Sequence, residues 1–156
     1  MENIAGAITG KATDFQCSVI GEYVDKFLGK KIPIPNPKLM LIPFKSLEES
    51  HYVCAILNSS IITLFVGSYV IETGISTHIT RYIEIPKFDP KNLLHQKLSQ
   101  LSQKAHEIAK KIYEENREDL KEDLKKIEEE IDKTVAELYG ITDEELKEIR
   151  KCLMIL

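Results

Sequence analysis

Beyond Pro90 the chain has no proline, and of its seven glycines only Gly140 lies there. So long a stretch with a single helix breaker excludes a loop-rich or strand-rich fold for residues 92–156 and predicts helix. Long hydrophobic runs are missing too. The longest, Ile61 to Val66 extended to Val70-Ile71, is interrupted by Thr63, Gly67 and Ser68, far short of the ~20 residues of a membrane span. No basic region leads into an apolar stretch at the N-terminus, so no signal peptide is expected. Cysteine is scarce: Cys17, Cys54 and Cys152 are odd in number, widely spaced and set among apolar neighbours. That pattern excludes a disulfide framework and predicts reduced core residues of a cytoplasmic protein.

Catalytic motifs are equally scarce. Gly6-Ala7-Ile8-Thr9-Gly10-Lys11 lacks the glycine spacing of a nucleotide-binding loop and is expected to be a flexible N-terminal loop. No Cys-x-x-Cys or His-x-x-x-His pair occurs, and His51, His78, His95 and His106 are scattered over separate segments. A metal site is therefore not expected, and the histidines read as packing or surface residues. Carboxylates are abundant, but most fall in helical charge runs such as Glu128-Glu129-Glu130, the solvated face of an amphipathic helix. No serine or cysteine sits in a nucleophile elbow. The chain alone is expected to be no enzyme and to carry no cofactor.

What is present divides near Pro90. All six prolines and most β-branched residues precede that boundary, which separates an expected α/β body (1–91) from a helical spacer and docking region (92–156). The first 91 residues carry nine basic and nine acidic side chains, so the whole net charge of −4 belongs to the helical part. A neutral body can still bind a polyanion through one basic face.

Within the body, Phe15–Leu28, with Cys17, Val19, Ile20, Tyr23, Val24 and Phe27, suits a half-buried strand or a short helix. The alternating prolines 33, 35 and 37 impose an irregular extended segment. Leu39–Phe44 predicts a strand. Ser46–Leu57 predicts a helix capped by Ser46, with Glu49 three residues on and Tyr52, Val53, Ile56 and Leu57 on one face. Ile61–Ile71 suits either helix or strand, and Arg81–Ile85 reads as a strand. After residue 92, Leu94, Leu98, Leu101, Ala105, Ile108 and Ile112 form a heptad stripe. Leu120, Leu124, Ile127, Ile131, Val135 and Leu138 form another. Between them Asn116-x-x-Asp119 suits the cap of a new helix, which favours a hairpin over one long helix. Gly140 should end the second helix, and Thr142-x-x-Glu145 should open a last one over roughly 143–151. The fold class expected is α+β: a small mixed sheet with short helices, then a long amphipathic, coiled-coil-like helical region.

One polar cluster stands out, Thr73-Gly74-Ile75-Ser76-Thr77-His78-Ile79-Thr80-Arg81. Hydroxyls, an imidazole and a guanidinium on a glycine-hinged loop suit phosphate and base-edge contacts, although the same hydroxyls can simply satisfy a turn's own backbone. Lys30, Lys31 and Lys38 flank the proline-stiffened segment.

Lys38–Phe44 followed by His51–Ser60, then Gly74–Ile79 with Ile85–Pro90, resembles the target-recognition regions of restriction–modification adenine-specific DNA methyltransferases, both the fused type IIG enzymes and type I specificity subunits. Ile131–Thr142 resembles their closing segment. The resemblance covers roughly residues 15–150, through the order of loose motifs. It implies a double-stranded DNA recognition module, with the methyltransferase and any nuclease carried by another domain or subunit. It further implies DNA contacts from Ser76, Thr77, His78, Thr80 and Arg81, and phosphate contacts from Lys30, Lys31, Lys38 and Lys45. Asn58 and Ser59 are assigned to structure. The alternative is a coiled-coil assembly module, with the heptads pairing two copies as a homodimer and no direct DNA binding.

Overall fold

The computed structural model describes residues 3–8, 15–21, 23–31, 40–69 and 82–154. Among the described residues helix dominates, and the short strands all lie within the first 44 residues. Strand β1 (Asn3–Ile8) lies between β2 (Val19–Ile20) and β5 (Met40–Phe44) in a three-stranded arrangement. A separate hairpin joins β3 (Tyr23–Asp25) to β4 (Gly29–Lys31). Every described pairing is antiparallel, where a mixed sheet was expected.

Of the loop expected over Gly6–Lys11, Gly6–Ile8 is instead the end of strand β1, and residues 9–11 lie outside the described residues. The partners of β1 come from distant segments, so tertiary pairing outweighs the poor strand propensity of Gly6 and its alanine neighbours. The register shifts between Ala5 and Ile8, around that glycine, as at a bulge. Pro43 is tolerated in β5 because that strand is at an edge.

Helix α1 (Leu47–Leu57) starts as its sequence requires, with the Ser46 hydroxyl accepting from the Glu49 backbone N–H. Burial is not confined to one face: Ser50, His51, Tyr52, Cys54, Ala55, Ile56 and Leu57 are all enclosed. Helix α2 (Ser60–Tyr69) settles the helix-or-strand ambiguity. Its β-branched Ile61, Ile62, Thr63 and Val66 favour strand locally, but a long-range cap overrides them. Asp132, from the helical region, accepts from both the backbone N–H and the hydroxyl of Ser60 at 2.8 and 2.6 Å. No single described helix is long and apolar enough to cross a membrane. Joined end to end, α1 and α2 would be, but they bend by 59° and α1 is buried.

Helix α3 (Leu93–Glu114) is capped by Asn92 and folds back through a single 3-10 turn (Glu118–Leu120) into α4 (Lys121–Tyr139). Asn116 does not cap the new helix. It takes φ 55 and terminates α3, a left-handed position that asparagine tolerates, while Arg117 N–H returns to the Lys111 carbonyl. Gly140 ends α4 at φ 69, and the Thr142/Glu145 capping box opens α5 (Asp143–Leu153).

The two heptad stripes turn inward. Leu98, Ile131 and Val135 join Phe15, Cys17, Tyr52, Ile56, Ile62 and Val66 in one buried cluster. Leu101, Ile127 and Leu138 pack against it. The core therefore crosses the compositional boundary at residues 91/92, and α3 lies directly against α1.

Candidate nucleic-acid interface

Of the expected contact residues, Ser76, Thr77, His78, Thr80, Arg81 and Lys38 lie outside the described residues. Lys30 and Lys31 are exposed on β4, and Lys45 is exposed just before the α1 cap. Lys30 and Lys31 therefore sit on the β3–β4 hairpin, whereas Lys45 follows the end of β5.

The scaffold on either side of the polar 73–81 segment is well defined. Upstream is α2, whose N-terminus is held by Asp132. The same carboxylate receives Arg150 of α5 at 2.9–3.0 Å, so three helices meet on one buried acid. Downstream, residues 83–89 form no regular structure, so the strand expected over 81–85 is absent from its described part. The reason lies in where the backbone finds partners. Tyr139 of α4 donates its hydroxyl to the Glu84 carbonyl at 2.8 Å, and Tyr52 of α1 donates to the Pro86 carbonyl at 2.9 Å. His95 of α3 accepts from the Asp89 N–H at 3.0 Å. The rings of Tyr52, His95 and Phe88 pack together, with Tyr52 and His95 centroids 4.5 Å apart. Side chains from three helices thus replace a neighbouring strand.

Because its Nδ1 accepts from Asp89, His95 is neutral and carries its proton on Nε2, towards the Tyr52 oxygen at 3.4 Å. Burial lowers its basicity, while nearby Asp89 works the other way.

A second polar cluster joins α1, α3 and the segment before β2. Asn58 clamps residue 17 from both sides, its carbonyl oxygen accepting from Cys17 N–H and its amide donating to the Cys17 carbonyl, each at 2.7 Å. The Cys54 thiol donates to that same carbonyl at 3.3 Å. His51 Nδ1 lies 3.0 Å from the Ser102 hydroxyl, and the His51 and His106 rings meet edge to face at 4.9 Å. Histidines scattered in sequence are therefore neighbours in space. A 51/54/58 spacing on α1 and a 102/106 spacing on α3 are the available signals, but they are visible only once the two helices are known to be adjacent.

Thiols beside imidazoles suggest nucleophilic chemistry, but the hydrogen bonds argue otherwise. His106 Nδ1 donates to the Ser102 carbonyl at 2.8 Å, and Nε2 accepts from Val19 N–H at 3.0 Å. Burial lowers the basicity of this ring, but Cys54 and the Ser102 carbonyl outweigh it and leave the ring raised; with Nε2 already filled by an N–H, the hydrogen-bond geometry nevertheless fits the neutral tautomer. Neither nitrogen is available as a base for Cys54, which is itself wholly enclosed. The neighbouring Cys54 and burial push the Cys17 thiol up. Burial, then the nearby His106, holds His51 down at about 4.

A cleft of about 610 Å³ opens beside this cluster, lined by Cys17, Asn58, His106, Glu128 and Asp132 among others. Burial and the Asp132 charge raise the Glu128 carboxyl. Among the described residues no group of three or more His, Cys, Asp or Glu is placed to hold a metal ion, and every buried side-chain nitrogen and oxygen has a partner. What these groups do is lock elements together. Comparison with family models, characterised proteins and solved structures yields no match for the chain.

Proposed function

We propose that the chain is a sequence-specific double-stranded DNA recognition module of a restriction–modification system. It positions the duplex for an adenine methyltransferase, and for any nuclease, carried by another domain or subunit. Ser76, Thr77, His78, Thr80 and Arg81 are assigned to DNA contact, with Lys30, Lys31, Lys38 and Lys45 on phosphates. The helical region, coiled-coil-like in its heptads, is assigned as spacer and docking surface for the catalytic partner.

The observation that carries this assignment is the double tyrosine anchor. A recognition loop discriminates among bases only if its ends are fixed within a fraction of an ångström. In sequence the polar segment lies between helix α2, whose first turn is held by Asp132, and an irregular segment pinned at Glu84 and Pro86 by Tyr139 and Tyr52. Two tyrosine hydroxyls from different helices, that of the buried Tyr52 and that of the partly buried Tyr139, bonded to one irregular segment suit a platform for a contact loop better than a surface connection. Pure assembly through the heptads is favoured less, because the stripes that would pair two copies are already partly used in the core.

The test is binding of the purified chain to a fluorescent mixed-sequence duplex across salt concentrations. DNA recognition predicts that log affinity falls linearly with log salt, with a slope of roughly −0.9 per neutralised phosphate. It also predicts weaker binding by the Arg81→Ala, His78→Ala double variant. No binding even at low salt sinks the assignment. Sedimentation of the chain as a stable dimer would then favour the assembly alternative.

A further inference from the structure

The β3–β4 hairpin carries a feature that DNA recognition by the 73–81 loop does not use. Phe27 is 88% and Leu28 69% exposed, side by side at its tip, where a half-buried segment was expected from the sequence. Asp25 pairs with Gly29, so the loop is only three residues long, and Gly29 closes it at φ 70. The Asp25 carboxylate is turned onto the loop itself, its Oδ1 accepting from the backbone N–H groups of both Phe27 and Leu28 at 2.8 Å. Those bonds hold the backbone of the turn that carries the two apolar side chains. The hairpin pairs chiefly with itself among the described elements, as a projection would. Cations surround the tip: Lys26 Nζ lies 5.9 Å from the centre of the Phe27 ring, and Lys30 and Lys31 follow on the exposed β4 strand.

An apolar tip alone would suit many partners. Flanked by three lysines against one described acid, Asp25, it suits a polyanion that also offers apolar faces between its charged edges. Stacked bases between phosphate backbones meet that description, and a two-stranded ribbon is narrow enough to enter a groove. We propose that this hairpin is a second DNA contact, in which Phe27 and Leu28 wedge into the base stack while Lys26, Lys30 and Lys31 lie on the flanking phosphates. This inference rests on the DNA-recognition function assigned above and adds a local unstacking of the duplex to it.

The full chain would be titrated onto a duplex carrying internal 2-aminopurine and a donor–acceptor pair at its ends. The wild type should raise 2-aminopurine fluorescence and shorten the end-to-end distance. Phe27→Ala, Leu28→Ala, both at exposed positions, should abolish both signals and weaken binding about tenfold with the salt slope unchanged. Lys30→Gln, Lys31→Gln should make that slope shallower by about 2 while the unstacking signal persists at saturation. An apolar double variant that binds and unstacks like the wild type overturns the wedge and leaves DNA recognition standing. Loss of self-association in that variant, with DNA binding unchanged, overturns it too and assigns the tip to contact between copies. Failure of the wild type itself to bind the duplex sinks both assignments together.

Discussion

Acid should loosen this protein through His51 before its carboxylates are protonated. The ring is 7% exposed, and burial, then His106, holds it at about 4 against 6.5 for an unperturbed histidine. Between those values the unfolded chain takes up a proton that the folded chain refuses. The stability is therefore fully present above about 6.5 and is lost progressively as pH falls towards 4. At pH 5 the full shift corresponds to about 2 kcal/mol. Because His106 is held neutral by its own two hydrogen bonds, its share of the shift shrinks, which leaves about 1–2 kcal/mol. Urea unfolding at pH 7 and pH 5 would measure this in the wild type and in His51→Gln, which keeps a polar partner for Ser102 without titrating. The wild type should lose about 1–2 kcal/mol more than the variant over that range. Ring proton shifts of His51 should begin to titrate only below pH 5. A His51 that titrates near 6.5, or an identical pH dependence in the variant, would refute the reasoning.

Two further outcomes follow from the polar clasps. Asp132→Ala strands Arg150 and uncaps α2 at once, and should cost about 3 kcal/mol in urea unfolding; Arg150→Ala should cost about 1–2, because Ser60 still satisfies the acid and Arg150 is partly exposed. Equal costs for the two would contradict the capping role. Tyr139→Phe removes one neutral hydrogen bond to Glu84, worth about 1 kcal/mol of stability. In DNA binding it should narrow the gap between preferred and random duplexes while leaving the salt slope unchanged, and a changed slope would argue against a positioning role.

Local signals were legible wherever the partner groups lie within a few residues. Ser46, Gly140 and the Thr142/Glu145 box sit where their spacing places them, because a cap is satisfied inside one turn. Errors arose where the partner is remote. β1 depends on Ile20 and Pro43, α2 on Asp132, and the irregular 82–89 segment on Tyr139 and Tyr52. Asn116 suits a helix start in sequence, but asparagine serves both as a cap and at left-handed helix ends, and only φ separates the two. The exposure of Phe27 was hidden for a related reason. An apolar residue in a β-rich stretch reads as half-buried until the three-residue loop that carries it outward is known.

Composition divides the chain at residue 91, but the hydrogen bonds act across that line. Tyr52 with His95, His51 with Ser102, Val19 with His106, Ser60 with Asp132 and Glu84 with Tyr139 each join the first 91 residues to the helices that follow. A purely apolar interface between α1 and α3 would be stable but free to slide by small register changes, since dispersion is not directional. The His51–Ser102 and Tyr52–His95 hydrogen bonds across that interface tolerate no such shift, because a displacement leaves a buried donor or acceptor unpaired. For the DNA-recognition module we propose, which would hold a contact loop and a docking surface at a fixed separation, that intolerance is useful. Replacing the His51–Ser102 pair by apolar residues of similar volume should then leave stability nearly unchanged while weakening DNA discrimination, a separation that a merely stabilising role would not produce.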